Sequence, residues 1–132
     1  MIGLVLVSHG TLATGLLHAA QLINGEIQQV IAIGLMEMED IDELVQRVEQ
    51  AVIEVDSGEG VLVLVDLFGA SPFNASARVK LGSPARAVEV VTGMNLPMLV
   101  EVDVQRDDLS LPDAVELALQ IGKDGISRMN IS

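Results

Sequence analysis

Ser8-His9-Gly10 closes an apolar run, Ile2-Gly3-Leu4-Val5-Leu6-Val7, so an imidazole stands where a β-strand runs out. At the carboxyl end of a first parallel strand, such a ring can act as nucleophile, base or metal ligand, because open α/β sheets bind ligands along that edge. Asp66 closes a second apolar run, Val61-Leu62-Val63-Leu64-Val65, in the same way. If the two strands are neighbours, the carboxylate can accept from one ring nitrogen and fix the tautomer. It then raises the basicity of the other nitrogen and stabilises positive charge developing on the ring. That pair suits a phosphoryl acceptor. Gly69, Ala70 and Ser71 follow, and their backbone N–H groups, at the start of a helix whose dipole is positive there, suit a phosphoryl group. No Arg or Lys adjoins His9, so the hydroxyls of Ser8, Thr11 and Ser71 are the remaining local donors. Each element also has a plainer reading: a strand-end histidine can be a polar turn residue, and Asp66 a turn or capping aspartate.

Strands and helices alternate along the chain in the order this arrangement needs. Residues 13 to 24 carry Leu16, Leu17, Ala20 and Ile23 at helical spacing before Gly25, and Val30-Ile31-Ala32-Ile33 reads as a buried second strand. Asp40 precedes Glu43 in a capping pattern, and Ile41, Leu44, Val45, Val48, Val52 and Val55 continue a longer helix. After the third strand, Ser71-Pro72 reads as N-cap and first helical residue of a helix to about Leu81. Ala87 to Val91 gives a fourth strand, Met98 to Val104 a helix opened by Pro97, and Pro112 to Ile121 a last helix. Ile126 to Ile131 can add a weak final strand. The expected fold class is α/β: a three-layer sandwich around a mostly parallel open sheet, with strand order beginning 2-1-3, as in flavodoxin-like arrangements. His9 and Asp66 then end adjacent strands at the ligand crevice.

The 132 residues fit one domain spanning 1–132, and half of them are hydrophobic, enough for a single buried core. The absence of cysteine excludes disulfides and thiolate chemistry. No apolar run approaches a membrane span and no export signal opens the chain, so a cytoplasmic protein is expected. A formal net charge of -12 disfavours nucleic acid and anionic membranes and favours a basic protein partner. Neither a Walker A sequence nor a Rossmann glycine fingerprint is present, so no nucleotide site is expected and the phosphoryl group must come from another protein. No cofactor is expected. Asp107-Asp108 lack clustered partners and read as a solvated loop rather than a metal site, and His18 reads as a surface or packing residue of the first helix. Phe68 and Phe73, the only aromatic residues, flank the candidate site and are candidates for a partner surface.

Val7-Ser8-His9-Gly10, the stretch from Leu64 through Asp66 and Ser71-Pro72-Phe73 to Asn74, and Thr92-Gly93-Met94-Asn95-Leu96-Pro97-Met98-Leu99 together resemble the mannose family of phosphotransferase-system (PTS) IIA components. The resemblance spans nearly the whole chain. It implies that His9 accepts a phosphoryl group on Nε2 from the phosphocarrier HPr and passes it to a IIB component, which phosphorylates sugar during uptake. Asp66 takes the place of the histidine-orienting carboxylate, Ser71 that of a serine beside the phosphoryl site, and Phe68 a position where tryptophan is familiar. The resemblance further implies a homodimer in which the C-terminal strand, here Ile126 to Ile131, is exchanged into the neighbouring subunit's sheet. With no linker in the sequence, IIB is expected to be a separate polypeptide, and association with the membrane components IIC and IID indirect. Two other functions fit a strand-end histidine: a regulatory module that senses sugar supply through phosphorylation of the same site, and a small tetrapyrrole metal chelatase. The second needs further ligands, and the remaining histidine, His18, lies in a helix. The sequence does not name the sugar.

Overall fold

The computed structural model describes residues 1–130. Ten elements follow one another: β1 (Gly3–His9), α1 (Leu12–Asn24), β2 (Val30–Leu35), α2 (Ile41–Val55), β3 (Val61–Val65), α3 (Ser71–Gly82), β4 (Val88–Thr92), α4 (Leu96–Gln105), a 3₁₀ turn (Arg106–Asp108) and α5 (Leu111–Asp124). The four strands pair in parallel in the order β2-β1-β3-β4. Helices cover both faces, which makes the expected three-layer sandwich.

Strand alternation sorts the core by residue type. Leu4 and Leu6 of β1 and Leu62 and Leu64 of β3 face α1, α4 and α5, whereas Val5, Val7, Val61, Val63 and Val65 face α2 and α3. All nine are fully buried, each contributing about 1.5–3 kcal/mol of hydrophobic stabilisation. β1 and β3 are thus covered on both faces, as the uninterrupted apolar runs require.

Several boundaries differ from the expected ones for local reasons. β1 continues through Ser8 and His9 because they still pair with Gly34 and Leu35 of β2. Ser71 is not the N-cap of α3 but its first helical residue; Ala70 holds the extended capping conformation, and Pro72 sits in the first turn. α4 starts before Pro97, at Leu96, because the Asn95 side chain accepts from the Met98 N–H at 3.1 Å and caps the helix. Asp40 caps α2 as its spacing predicts, accepting from the Glu43 N–H at 2.8 Å. Residues 126–130 form no strand. Ile131, the end of the expected final strand, lies outside the described residues.

Two polar devices brace the edge of the sheet opposite His9. Asp56 follows α2 and accepts from the N–H groups of Gly58 at 2.9 Å and Gly60 at 3.2 Å, while pairing with Arg86. Burial alone would raise its carboxyl pKa, but those hydrogen bonds and the Arg86 charge outweigh burial and hold it below the ordinary aspartate value. Arg106, with a side chain only 1% exposed, donates to the carbonyls of Ile2, at 3.2 Å, Gln29, at 3.2 Å, and Gln28. It ties the 3₁₀ turn to the entries of β1 and β2.

Candidate functional site

The ladder between β1 and β3 brings His9 and Asp66 together. Val7 is in register with Val65, and the Asp66 N–H donates to the Val7 carbonyl at 3.2 Å, so Asp66 is locked beside the end of β1. One carboxylate oxygen, Oδ2, accepts twice: from the His9 backbone N–H at 2.9 Å and from ring Nδ1 at 2.8 Å. The ring is therefore fixed relative to its own backbone, with Nδ1 as the donor and Nε2 left as the free nitrogen. Half of the His9 side chain is exposed against 11% of the Asp66 side chain, so a buried carboxylate holds a presented ring. The other oxygen of Asp66, Oδ1, is buried without a hydrogen-bond donor among the described residues.

The remaining candidates divide by what their atoms already do. Ser8 is fully buried, and its hydroxyl accepts from the Ala13 N–H at 2.8 Å and donates to the His9 carbonyl at 3.0 Å. It joins the end of β1 to the first turn of α1, and its lone pairs and proton are committed there. Thr11 is exposed at the N-cap of α1, and its side chain makes no capping bond. Gly69 is exposed, and Ala70 and Ser71 are half-buried at the start of α3. Ala70 has no side-chain acceptor to offer, so no side chain caps the N–H groups of that helix end. Phe68 is 74% exposed and stacks on the half-buried Phe73 with ring centroids 4.6 Å apart and planes 43° apart. His18 is exposed on α1. Among the described residues, no group of three His, Cys, Asp or Glu side chains is placed to hold a metal ion, and no helix is long and apolar enough to cross a membrane.

The loops after β2 and β3 and the first residue of α1 share the His9 edge and expose Met36, Met38, Leu67 and Leu12, large apolar side chains that periodicity did not single out. The available signal was their position: Met36 and Met38 fall between a strand and an N-cap, where polar residues are the rule.

In a parallel α/β sandwich, a carboxylate-oriented histidine at the ends of the two central strands has the geometry that nucleophilic chemistry on an imidazole requires. Comparison with known proteins supplies the family. The family described as the PTS system fructose IIA component matches residues 3–119. The mannose-specific EIIAB component of Escherichia coli (strain K12) is 36% identical over 129 residues, 97% of this chain and 39% of that protein. The chain thus spans well under half the length of that relative. The sorbose-specific EIIA component of Lacticaseibacillus casei is 32% identical over 121 residues, covering 92% of this chain and 86% of the relative. The crystal structure of phosphotransferase system component EIIA from Streptococcus agalactiae superposes with a TM-score of 0.90 at 28% identity, covering 97% of each chain. The chain belongs to the mannose family of PTS IIA components.

Proposed function

We propose that the chain is a phosphoryl relay of a sugar phosphotransferase system, taking the group from phospho-HPr onto His9 and passing it to a IIB component for carbohydrate uptake. The observation that carries this reading is the 2.8 Å bond between His9 Nδ1 and Asp66, which leaves Nε2 as the nitrogen with a free lone pair. In the transfer, Nε2 forms a bond to phosphorus as the bond from phosphorus to the donor breaks, and the donor keeps that bond's electron pair. The Nδ1 proton stays on the ring, and Asp66 balances the positive charge that the ring acquires. Passing the group to IIB reverses these steps. The N–H groups of Gly69, Ala70 and Ser71 and the hydroxyl of Thr11 are the donors proposed to meet the phosphoryl oxygens, with Ser8 supporting the ring's backbone.

Phe68, with Phe73 beneath it, is proposed as part of the surface on which HPr and IIB dock in turn. The acidic chain favours a basic partner there. The relay is proposed to act in the cytoplasm, as a homodimer that exchanges its C-terminal segment, and to meet the membrane components IIC and IID only through IIB.

The test supplies phosphoenolpyruvate, enzyme I and HPr, then adds IIB. The chain is expected to gain one acid-labile, alkali-stable phosphate per subunit and to lose it to IIB, whereas His9→Ala gains none. Labelling of His9→Ala to the wild-type level would remove His9 from the mechanism; a labelled chain that never discharges to IIB would favour the regulatory role.

A further inference from the structure

Gly34 lies opposite Ser8 in the β1–β2 ladder, one residue before the partner of His9. A Cβ on Gly34 would stand 1.9 Å from the carbonyl oxygen of Gly10 and 3.0 Å from its carbonyl carbon. Gly10 reaches that position with a left-handed φ of 54°, and its N–H donates to the Leu35 carbonyl at 2.8 Å. Gly10 is therefore folded onto the end of β2: its N–H bonds Leu35, and its carbonyl, in the peptide that joins it to Thr11, lies in space that exists because Gly34 has no side chain. Gly10 is bonded directly to His9, so a shift of Gly10 is carried to the backbone that holds the imidazole over Asp66.

The other side of Gly34 is also held. The Leu35 carbonyl points toward β1, so by strand alternation the Gly34 carbonyl points to the other edge of β2, where no strand among the described residues pairs with it. Arg47 of α2 fills that position: its Nη1 donates to the Gly34 carbonyl at 3.0 Å and to the Glu39 carboxylate at 2.9 and 2.8 Å. Glu39 in turn accepts from the Met36 N–H at 3.3 Å, which closes the loop between β2 and α2 around the contact.

We propose that Gly34, braced by Arg47, is a positioning residue for His9, fixing the Gly10 turn so that Nδ1 stays on Asp66 while Nε2 is presented to the phosphoryl donor. Neither residue touches the transferring group. The proposal rests on the reading of His9 as phosphoryl acceptor. In Gly34→Ala the Gly10 carbonyl must retreat by about 1.5 Å to reach ordinary contact, and a displacement of even about 1 Å can cost on the order of a hundredfold in rate when it misaligns reacting atoms.

The test uses the full chain. Gly34→Ala is expected to slow phosphorylation by HPr at least about tenfold, in kcat more than in KM, and to move the ¹⁵N signals of the His9 ring away from those of the wild-type Nδ1–H tautomer. Arg47→Met should show both effects more weakly, and Arg47→Lys should recover part of the rate. Wild-type rate and wild-type ring signals in a folded Gly34→Ala chain would overturn the proposal. If Gly34→Ala does not fold, Arg47→Met decides: a wild-type rate with unchanged ring signals overturns the proposal, and a slower rate with displaced signals supports it. The ring signals need no partner protein, so they read the positioning even if the chain accepts nothing from HPr, a result that would count against the relay reading alone.

Discussion

Asp66→Asn is expected to leave the fold intact and to slow phosphoryl transfer to His9 by about a hundredfold, the scale on which removal of a pre-organised electrostatic partner acts. Oδ2 of Asp66 serves two donors at once, the His9 backbone N–H and ring Nδ1. An asparagine can turn its oxygen to them, but its NH₂ then puts two donors in the buried place of Oδ1, an acceptor that has no hydrogen-bond partner among the described residues. If it turns the amide to the ring instead, Nδ1 must accept and the proton moves to Nε2, which extinguishes the nucleophile. In either orientation the countercharge for the phosphorylated ring is gone. The quantity to measure is the second-order rate constant for phosphorylation by HPr, with a thermal melt confirming that the variant is folded. A rate within twofold of wild type would show that Asp66 does not orient or stabilise the ring.

Arg106→Met is expected to cost about 3–5 kcal/mol of unfolding free energy, because removing one member of a buried charged network leaves its partners unpaired. The guanidinium is fully buried and bonds the carbonyls of Ile2, Gln28 and Gln29, with Asp103 at 3.4 Å. Burial pulls its pKa below the usual arginine value, and Asp103 and Asp107 offset part of that pull. Methionine fills much of the volume but donates nothing, so three strand-entry carbonyls lose their shared donor. One of them belongs to Gln29, which holds a left-handed φ of 55° while feeding β2 and therefore depends on its neighbours for that conformation. Urea unfolding measures the loss; a change under about 1 kcal/mol would mean that water satisfies those carbonyls equally well.

The sheet was legible because its central strands are buried on both faces and therefore read as unbroken apolar runs. The apolar run Val61–Val65 is the whole of β3, and the 2-1-3 order sets His9 beside Asp66. Helix starts were less legible where capping depends on backbone conformation: serine at Ser71 has the right chemistry for an N-cap, yet the extended residue is Ala70. Arg106 gives no signal, since Gln105-Arg106-Asp107-Asp108 has the composition of a solvated loop; only its place against the entries of β1 and β2 makes the arginine interior. Ser8 likewise reads as a free hydroxyl at a strand end, and only the approach of α1 shows its oxygen engaged by Ala13. Gly34 is silent in sequence because what it permits, the folded-back Gly10 carbonyl, is a contact between two strands' ends.

The central claim is that Asp66 holds Nδ1 of His9 so that Nε2 takes the phosphoryl group. ¹H–¹⁵N NMR of the ring in the phosphorylated chain, with ³¹P coupling to the ring nitrogens, tests it most directly. A phosphorus bonded to Nε2 with the proton retained on Nδ1 is the predicted result; a phosphorus bonded to Nδ1, or a His9 ring left unmodified while the chain carries phosphate, would contradict it.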